Sequence, residues 1–159
     1  MHITLLAVGR LKEKYLQLAQ EEYLKRLRLY AKVEVVEVAD EPHGEGLSPA
    51  GEDAVKEKEM LRLKKFIKNE TCLVVLDREG LALSSEGFSG WLGDQGLHGK
   101  SHVTFIIGGS LGLHYEITRQ AAMRLSFSSF TFPHQLMRVI LLEQIYRGFK
   151  ILKGEPYHK

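Results

Sequence analysis

Apolar runs and amphipathic stretches alternate along this chain from one end to the other. Residues 3–8 are a short apolar, β-branched run closed by Gly9, the pattern of a buried strand. Leu16, Ala19, Tyr23, Leu27 and Tyr30 then recur at spacings of three or four, which predicts an amphipathic helix over 13–30. Val33, Val35, Val36 and Val38 mark a second strand. The segment 40–49 holds two prolines and two glycines and reads as loop. A second helix is predicted over about 50–68, with Val55, Leu61, Leu63, Phe66 and Ile67 on its apolar side. Residues 73–76 and 102–107 give two further strands, and Gly108-Gly109 closes the latter. Residues 114–123 read as helix, 125–128 as a short strand and 134–152 as a long final helix. Strand–helix alternation of this kind predicts an α/β fold with a mostly parallel sheet and helices on both faces. No internal repeat or boundary interrupts it, so 1–159 is expected to be a single domain.

Composition narrows the class. The 159 residues fit one ordinary domain, and 44% hydrophobic with 26% charged residues is the balance of a globular chain. A disordered tail, a collagen and a membrane-spanning protein are excluded, the last because no run nears the roughly 18 apolar residues a span needs. The start, Met1-His2-Ile3-Thr4, has no basic flank and no small-residue cleavage site, so no signal peptide is expected. Cys72 is the single cysteine and cannot form an internal disulfide. Within Cys72-Leu73-Val74-Val75-Leu76 it reads as a core thiol of a reducing compartment, and a cytoplasmic location is expected. Glycines at 87, 90, 93, 96 and 99 recur every third residue, but the run is short and lacks proline. A weak helix around Trp91 and Leu92 is the expectation there.

The formal net charge of +2 hides a segregation. Residues 10–32 carry seven basic and three acidic side chains, 37–59 eight acidic and two basic, and the last 26 residues five basic and two acidic. Such blocks suit a face that meets phosphates, and they also suit solvated helix faces.

Candidate chemistry is sparse. Gly99-Lys100-Ser101 ends like a phosphate-binding loop, but Asp94 stands where the first glycine is required and the segment precedes a strand. Gly108-Gly109-Ser110-Leu111-Gly112 follows a strand and precedes a helix, the place where open α/β sheets bind ligands. It lacks the dinucleotide spacing, and both a plain turn and a ligand loop remain open readings. No metal site is expected, because the seven histidines are scattered and the thiol has no partner. No nucleophile elbow or activated thiol is present. On the final helix, Glu143, Gln144, Arg147 and Lys150 form a polar stripe and Leu141, Leu142, Ile145, Phe149 and Leu152 the opposite face, with Arg138 in its midst. Leu136 and Ile140 fall toward the polar side, so this helix is expected to be buried on more than one side, the second time against a partner subunit. Arg138 there needs either an internal carboxylate or a functional anion. The tail Lys153-Gly154-Glu155-Pro156-Tyr157-His158-Lys159 joins a ring, an imidazole and two cations at a chain end that packing alone would not need.

The stretches Phe105-Ile106-Ile107-Gly108-Gly109-Ser110-Leu111-Gly112, Leu125-Ser126-Phe127-Ser128, Thr131-Phe132-Pro133-His134 and Gly154-Glu155-Pro156-Tyr157-His158 resemble the ribosomal large-subunit methyltransferase H family, of the SPOUT class. The resemblance spans essentially the whole chain, with the specific motifs in its C-terminal half. Ser110-Leu111 stands where related SPOUT enzymes often carry Pro-Glu. The resemblance implies a trefoil-knotted α/β fold in the C-terminal half, a homodimer, and an S-adenosylmethionine-dependent enzyme methylating N3 of a pseudouridine in 23S rRNA on the assembled 70S ribosome. It implies no metal and no membrane. Position by position it implies cofactor contacts at Leu76, Gly108, Phe127, Ser128, Ser129, Phe130, Thr131 and Phe132. Substrate or catalytic roles fall on Arg147, Tyr157 and His158. The alternatives are a non-catalytic RNA- or ribosome-binding protein of the same fold, and a nucleotide-binding oxidoreductase using the glycine turn.

Overall fold

The computed structural model describes residues 1–97 and 102–157. The elements run β1 (His2–Val8), α1 (Lys14–Leu27), β2 (Lys32–Val38), α2 (Pro49–Lys64), β3 (Cys72–Ala82), α3 (Ser85–Leu97), β4 (His102–Ile107), α4 (Tyr115–Gln120), β5 (Met123–Ser126) and α5 (His134–Leu152). All five strands pair in parallel, in the order β2-β1-β4-β3-β5.

Both faces of the sheet are covered, which is why its strands read as continuous apolar runs rather than alternating ones. Ile3, Leu5 and Ala7 of β1, Val74 of β3 and Phe105 of β4 pack with Leu141, Leu142, Ile145 and Phe149 of α5 and with Phe88 and Leu92 of α3. Leu6, Val8, Val75 and Ile106 point the other way, onto Met60 and Leu63 of α2 and Ile117 of α4. Successive side chains on a strand alternate faces, so each run fills two cores. Cys72 is buried, as expected.

Several details depart from the sequence pattern: α4 ends at Gln120 rather than 123, and β5 spans Met123–Ser126 rather than 125–128. The third strand is not confined to 73–76: β3 continues to Ala82, with its pairing to β5 shifted between Leu76 and Leu81. Polar residues Asp77, Arg78 and Glu79 fill that irregular part, and hydropathy carries no strand signal there. On α2 the inward residues are Val55, Glu59, Met60 and Leu63, while Leu61 and Phe66 are exposed. Leu152 is also largely exposed rather than part of the α5 core face.

Arg138 is fully buried, and its partner is internal. It donates to Glu37 Oε1 of β2 at 2.5 Å, to the Val8 carbonyl at 3.2 Å and to the Gly9 carbonyl at 2.6 Å. Of the two readings open in the sequence, the internal salt bridge holds. Breaking a buried pair by removing one partner costs about 3–5 kcal/mol. Arg138→Met should therefore lower urea-unfolding stability by about that amount. Combining it with Glu37→Gln should cost clearly less than the sum of the two single losses, and strict additivity would show that the pair is not coupled.

Candidate functional site

Parallel strands end together, so the loops after β1, β3, β4 and β5 gather at one edge of the sheet. The connection leaving β3 goes to β4 on one side, and that leaving β4 passes over β3 to β5 on the other. Such a reversal opens a crevice at the carboxyl ends of the strands, where ligands of α/β sheets bind. A cavity of about 770 Å³ lies there. It is within the size range of small-molecule sites, about 300–1,000 Å³.

Its walls come from 76–78 of β3, 107–113 at and after the end of β4, Leu125 of β5 with 127–128 and 130–134 after it, and Met137 and Thr118 from α5 and α4. The glycine turn after β4 is closed by a bridge between Gly109 and Gly112. Each of its glycines has a separate cause. A side chain on Gly108 would meet the Gly112 backbone at 2.9 Å, so the turn itself excludes one. A Cβ on Gly109 would lie 3.0 Å from the Glu59 carboxylate, and Gly112 takes φ +83°.

The opposite wall is held by a polar lattice between β3 and β5. Arg124 pairs with Asp77 at 2.8 Å, Ser126 Oγ donates to the Arg78 carbonyl, and Arg78 donates to Thr131 Oγ1 at 3.0 Å. Phe130 and Phe132 stand at the cavity rim, Phe130 exposed over three-quarters of its surface. His134, on the wall, is half-desolvated and close to Arg138, and both effects lower its pKa and favour the neutral ring.

Of the positions expected to touch a cofactor, Leu76, Gly108, Phe127, Ser128, Phe130, Thr131 and Phe132 all line this cavity. Ser129, between them in sequence, is exposed and is not part of the wall. Asp77, Arg78, Ser110, Leu113, Thr118, His134 and Met137 line it without having been singled out individually. For 110 and 113 the signal was the glycine turn; for Asp77 and Arg78 there was none.

Arg147 and Tyr157 form a separate cluster. Arg147 donates to Glu143 Oε1 at 2.6 Å and lies 4.7 Å from the centroid of the Tyr157 ring, whose hydroxyl donates to the same carboxylate at 3.2 Å. Tyr146 packs edge-on against Tyr157 at 4.9 Å. Burial and this carboxylate raise the Tyr157 pKa, so the phenol keeps its proton at neutral pH. The tail is not loose before this point, because Glu155 accepts from Tyr30 and Lys150, each at 2.6 Å. The expectation that packing makes no use of the tail is therefore corrected for Tyr157. His158 and Lys159 lie outside the described residues, as do His98 and the Gly99-Lys100-Ser101 segment. Ten residues of α5 separate Met137 from Arg147, about 15 Å of helix.

Among the described residues no group of histidine, cysteine or carboxylate side chains is arranged to hold a metal, and no helix is long and apolar enough to cross a membrane. A family model described as "Predicted SPOUT methyltransferase" matches residues 1–158. The ribosomal RNA large subunit methyltransferase H of Clostridium kluyveri is 54% identical over 159 residues, covering all of both chains. That of Pelotomaculum thermopropionicum is 56% identical over 157 residues, covering 99% of this chain and 98% of its own. A probable methylase family protein from Haemophilus influenzae Rd KW20 superposes with a TM-score of 0.51 at 10% identity, over 99% of this chain and 70% of that one. That last likeness concerns the fold alone.

Glu59 supplies a test of how the turn is seated. It is 5% exposed, accepts from the Glu41 backbone N–H at 3.0 Å, and burial raises its pKa above the ordinary carboxylate value. The native state thus holds this proton more tightly than the unfolded chain, and the contribution is lost as pH rises from about 4.5 through the native value. Glu59→Gln keeps the acceptor without the charge. Its melting temperature should equal or exceed that of the wild type at pH 8, with the difference shrinking toward pH 4.5. A variant equally destabilised at both pH values would contradict this reading of Glu59.

Proposed function

Since the chain belongs to the SPOUT methyltransferase family, we propose that it is an S-adenosylmethionine-dependent rRNA methyltransferase, acting on N3 of a pseudouridine in 23S rRNA within the assembled 70S ribosome, as a homodimer in the cytoplasm. The observation that carries the reading is the crevice between β3 and β4, with the glycine turn on one side and the 127–132 segment on the other. Family membership removes the oxidoreductase alternative.

The walls suit the donor. Leu76, Leu113, Leu125 and Phe127 offer apolar surface for a flat base, and the backbone of 108–112 offers hydrogen-bonding edges free of side chains. Neutral His134 adds no cation to the wall that would repel a positively charged sulfur, and the Arg78 guanidinium donates to Thr131 Oγ1. Bound there, S-adenosylmethionine supplies a methyl group already activated for transfer, so no metal or covalent nucleophile is required of the protein. What remains for the chain is to position the RNA base and to favour loss of its N3 proton. A guanidinium such as Arg147 stabilises the resulting anion, and the protonated Tyr157 serves as a stacking surface and hydrogen-bond donor rather than a base. His158 is the residue proposed for proton transfer.

The roughly 15 Å of helix between cavity and Arg147 favours a site shared between subunits. Leu136, Ile140, Glu143 and Arg147 fall on one stripe of α5 at about 100° per residue, and all are only partly covered in the single chain. Two α5 helices packed antiparallel through this stripe, crossing between Ile140 and Glu143, put Arg147 of each opposite Leu136 of the other. The Arg147–Tyr157 cluster of one subunit then approaches the cavity of its partner. A two-fold dimer is the commonest assembly and is self-complementary in this way.

Transfer of labelled methyl from S-adenosylmethionine to 70S ribosomes lacking the modification tests the activity; binding to ribosomes without transfer would instead support the non-catalytic alternative. Gly108→Val forces the turn away from Gly112, and calorimetry should show S-adenosylmethionine affinity lost in a protein that still melts cooperatively. Removal of 158–159 should leave donor binding and thermal stability near wild type, while methylation falls at least about 100-fold, the scale of a positioned acid–base group. Mixed with Gly108→Val subunits, the truncated chain should regain activity, because one of the two shared sites then carries neither defect. Absence of recovery despite demonstrated subunit exchange would assign each tail to its own chain.

A further inference from the structure

The basic block over 10–32 is divided by the fold between the two ends of α1. Lys25, Arg28 and Lys32 lie at the far end, about 20 Å of helix from the start. Arg10, Lys12 and Lys14 lie at the near end, in and just after the loop that follows β1, and all three are exposed. This loop is on the cavity side of the sheet, because β1 and β4 run in register, Ala7 opposite Ile107.

It is also firmly held. Buried Arg138 grips the carbonyls of Val8 and Gly9, Glu37 Oε1 accepts from the Leu11 N–H at 2.9 Å, and Gln135 Oε1 accepts from the Lys12 N–H at 2.9 Å. Gln17 donates to the Leu11 carbonyl at 2.7 Å. A Cβ on Gly9 would stand 3.8 Å from Nε2 of His134, a residue of the cavity wall. The loop is therefore fixed to the first turn of α5, beside the mouth of the site.

Several cations elsewhere are committed: Arg62 to Glu41, Lys64 to Glu116, Arg124 to Asp77, Arg147 to Glu143 and Lys150 to Glu155. Among the described residues, the side chains of Arg10, Lys12 and Lys14 have no such partner. Glu13 is the one carboxylate within the loop, and Asp40 stands near Gly9. Three unpaired cations on a rigid, exposed loop suit a polyanion whose charges are spaced along a backbone. A flexible tail would lose entropy on ordering; this loop is ordered before the RNA arrives.

Resting on the methyltransferase reading, we infer that Arg10, Lys12 and Lys14 are an RNA-anchoring edge of the site: they hold rRNA phosphates flanking the target base, and the Arg138–Glu37 pair positions them. Phosphate contacts fix register without reading sequence, which is what a site directed to one base of a folded ribosome requires.

Purified 70S ribosomes serve as the probe, in pelleting assays from 50 to 200 mM KCl. The triple variant R10A/K12A/K14A is compared with wild type and with K25A/R28A/K32A, which removes the same charge at the far end of α1. The near-end variant should bind at least 10-fold more weakly, and its plot of log affinity against log salt should be shallower by about 2–3, at roughly 0.7–0.9 for each phosphate no longer neutralised. In methylation its KM for ribosomes should rise while kcat, S-adenosylmethionine affinity and melting temperature stay near wild type. The far-end variant should behave like wild type. Equal weakening in both variants, or an unchanged slope in the first, overturns the assignment of this loop while leaving the methyltransferase reading intact. A wild-type chain that binds ribosomes with this salt dependence and transfers no methyl group would refute that reading and leave the anchoring edge standing.

Discussion

Taking a guanidinium out of water costs several kcal/mol unless charged or carbonyl acceptors offset it, and Arg138 finds them through Nη1 and Nη2 contacts that tie three elements together. Glu37 belongs to β2, the Val8 and Gly9 carbonyls to β1 and the loop after it, and Arg138 itself to the second turn of α5. Helix, strand ends and loop therefore cannot shift independently without leaving a buried charge unpaired. His134, a cavity-wall residue, sits one turn before Arg138 on the same helix. The placement of α5 over the sheet thus fixes one side of the cavity and the attachment of the basic loop at once.

The other side of the cavity depends on glycine. The turn after β4 folds back on itself so closely that Gly108 faces the Gly112 backbone, and its neighbour lies on the buried Glu59 carboxyl. A backbone this bare is suited to a small ligand that needs hydrogen bonds at close range. The long helix then serves two ends. Its amino end closes the cavity, and its carboxyl end carries Arg147 with Tyr157 folded back upon it. Within one chain these two ends stay apart, with about 15 Å of helix between Met137 and Arg147.

Periodicity and apolar runs made the α/β alternation readable, and α5 was read to its observed bounds from its apolar positions. The polar half of β3 was hidden: Asp77, Arg78 and Glu79 fall in the interruption of its pairing with β5, where Arg124 donates to Asp77 and Ser126 Oγ to the Arg78 carbonyl, partners remote in sequence. Likewise the inward turn of Glu59 on α2 answers to Glu41 and the glycine turn rather than to its own helix pattern. Most of the site became legible only through the motif resemblance at 105–112 and 125–134. Spacing showed that a ligand turn was possible, but not that the 127–132 segment returns to face it. Arg138 was legible as an anomaly, an arginine in an apolar face, and only the fold identified Glu37 as its partner.

If the crevice between β3 and β4 holds the methyl donor, its ordering effect must be confined to the carboxyl ends of the strands. Amide hydrogen exchange with and without S-adenosylmethionine reads this directly, segment by segment. Protection should concentrate in 76–78, 108–113 and 127–134, with the amino ends of the strands and the second hollow, lined by Leu24, Arg28, Ala31, Lys32 and Val33, unchanged. Protection centred on that second hollow, or none at 108–113 under saturating donor, would contradict the account.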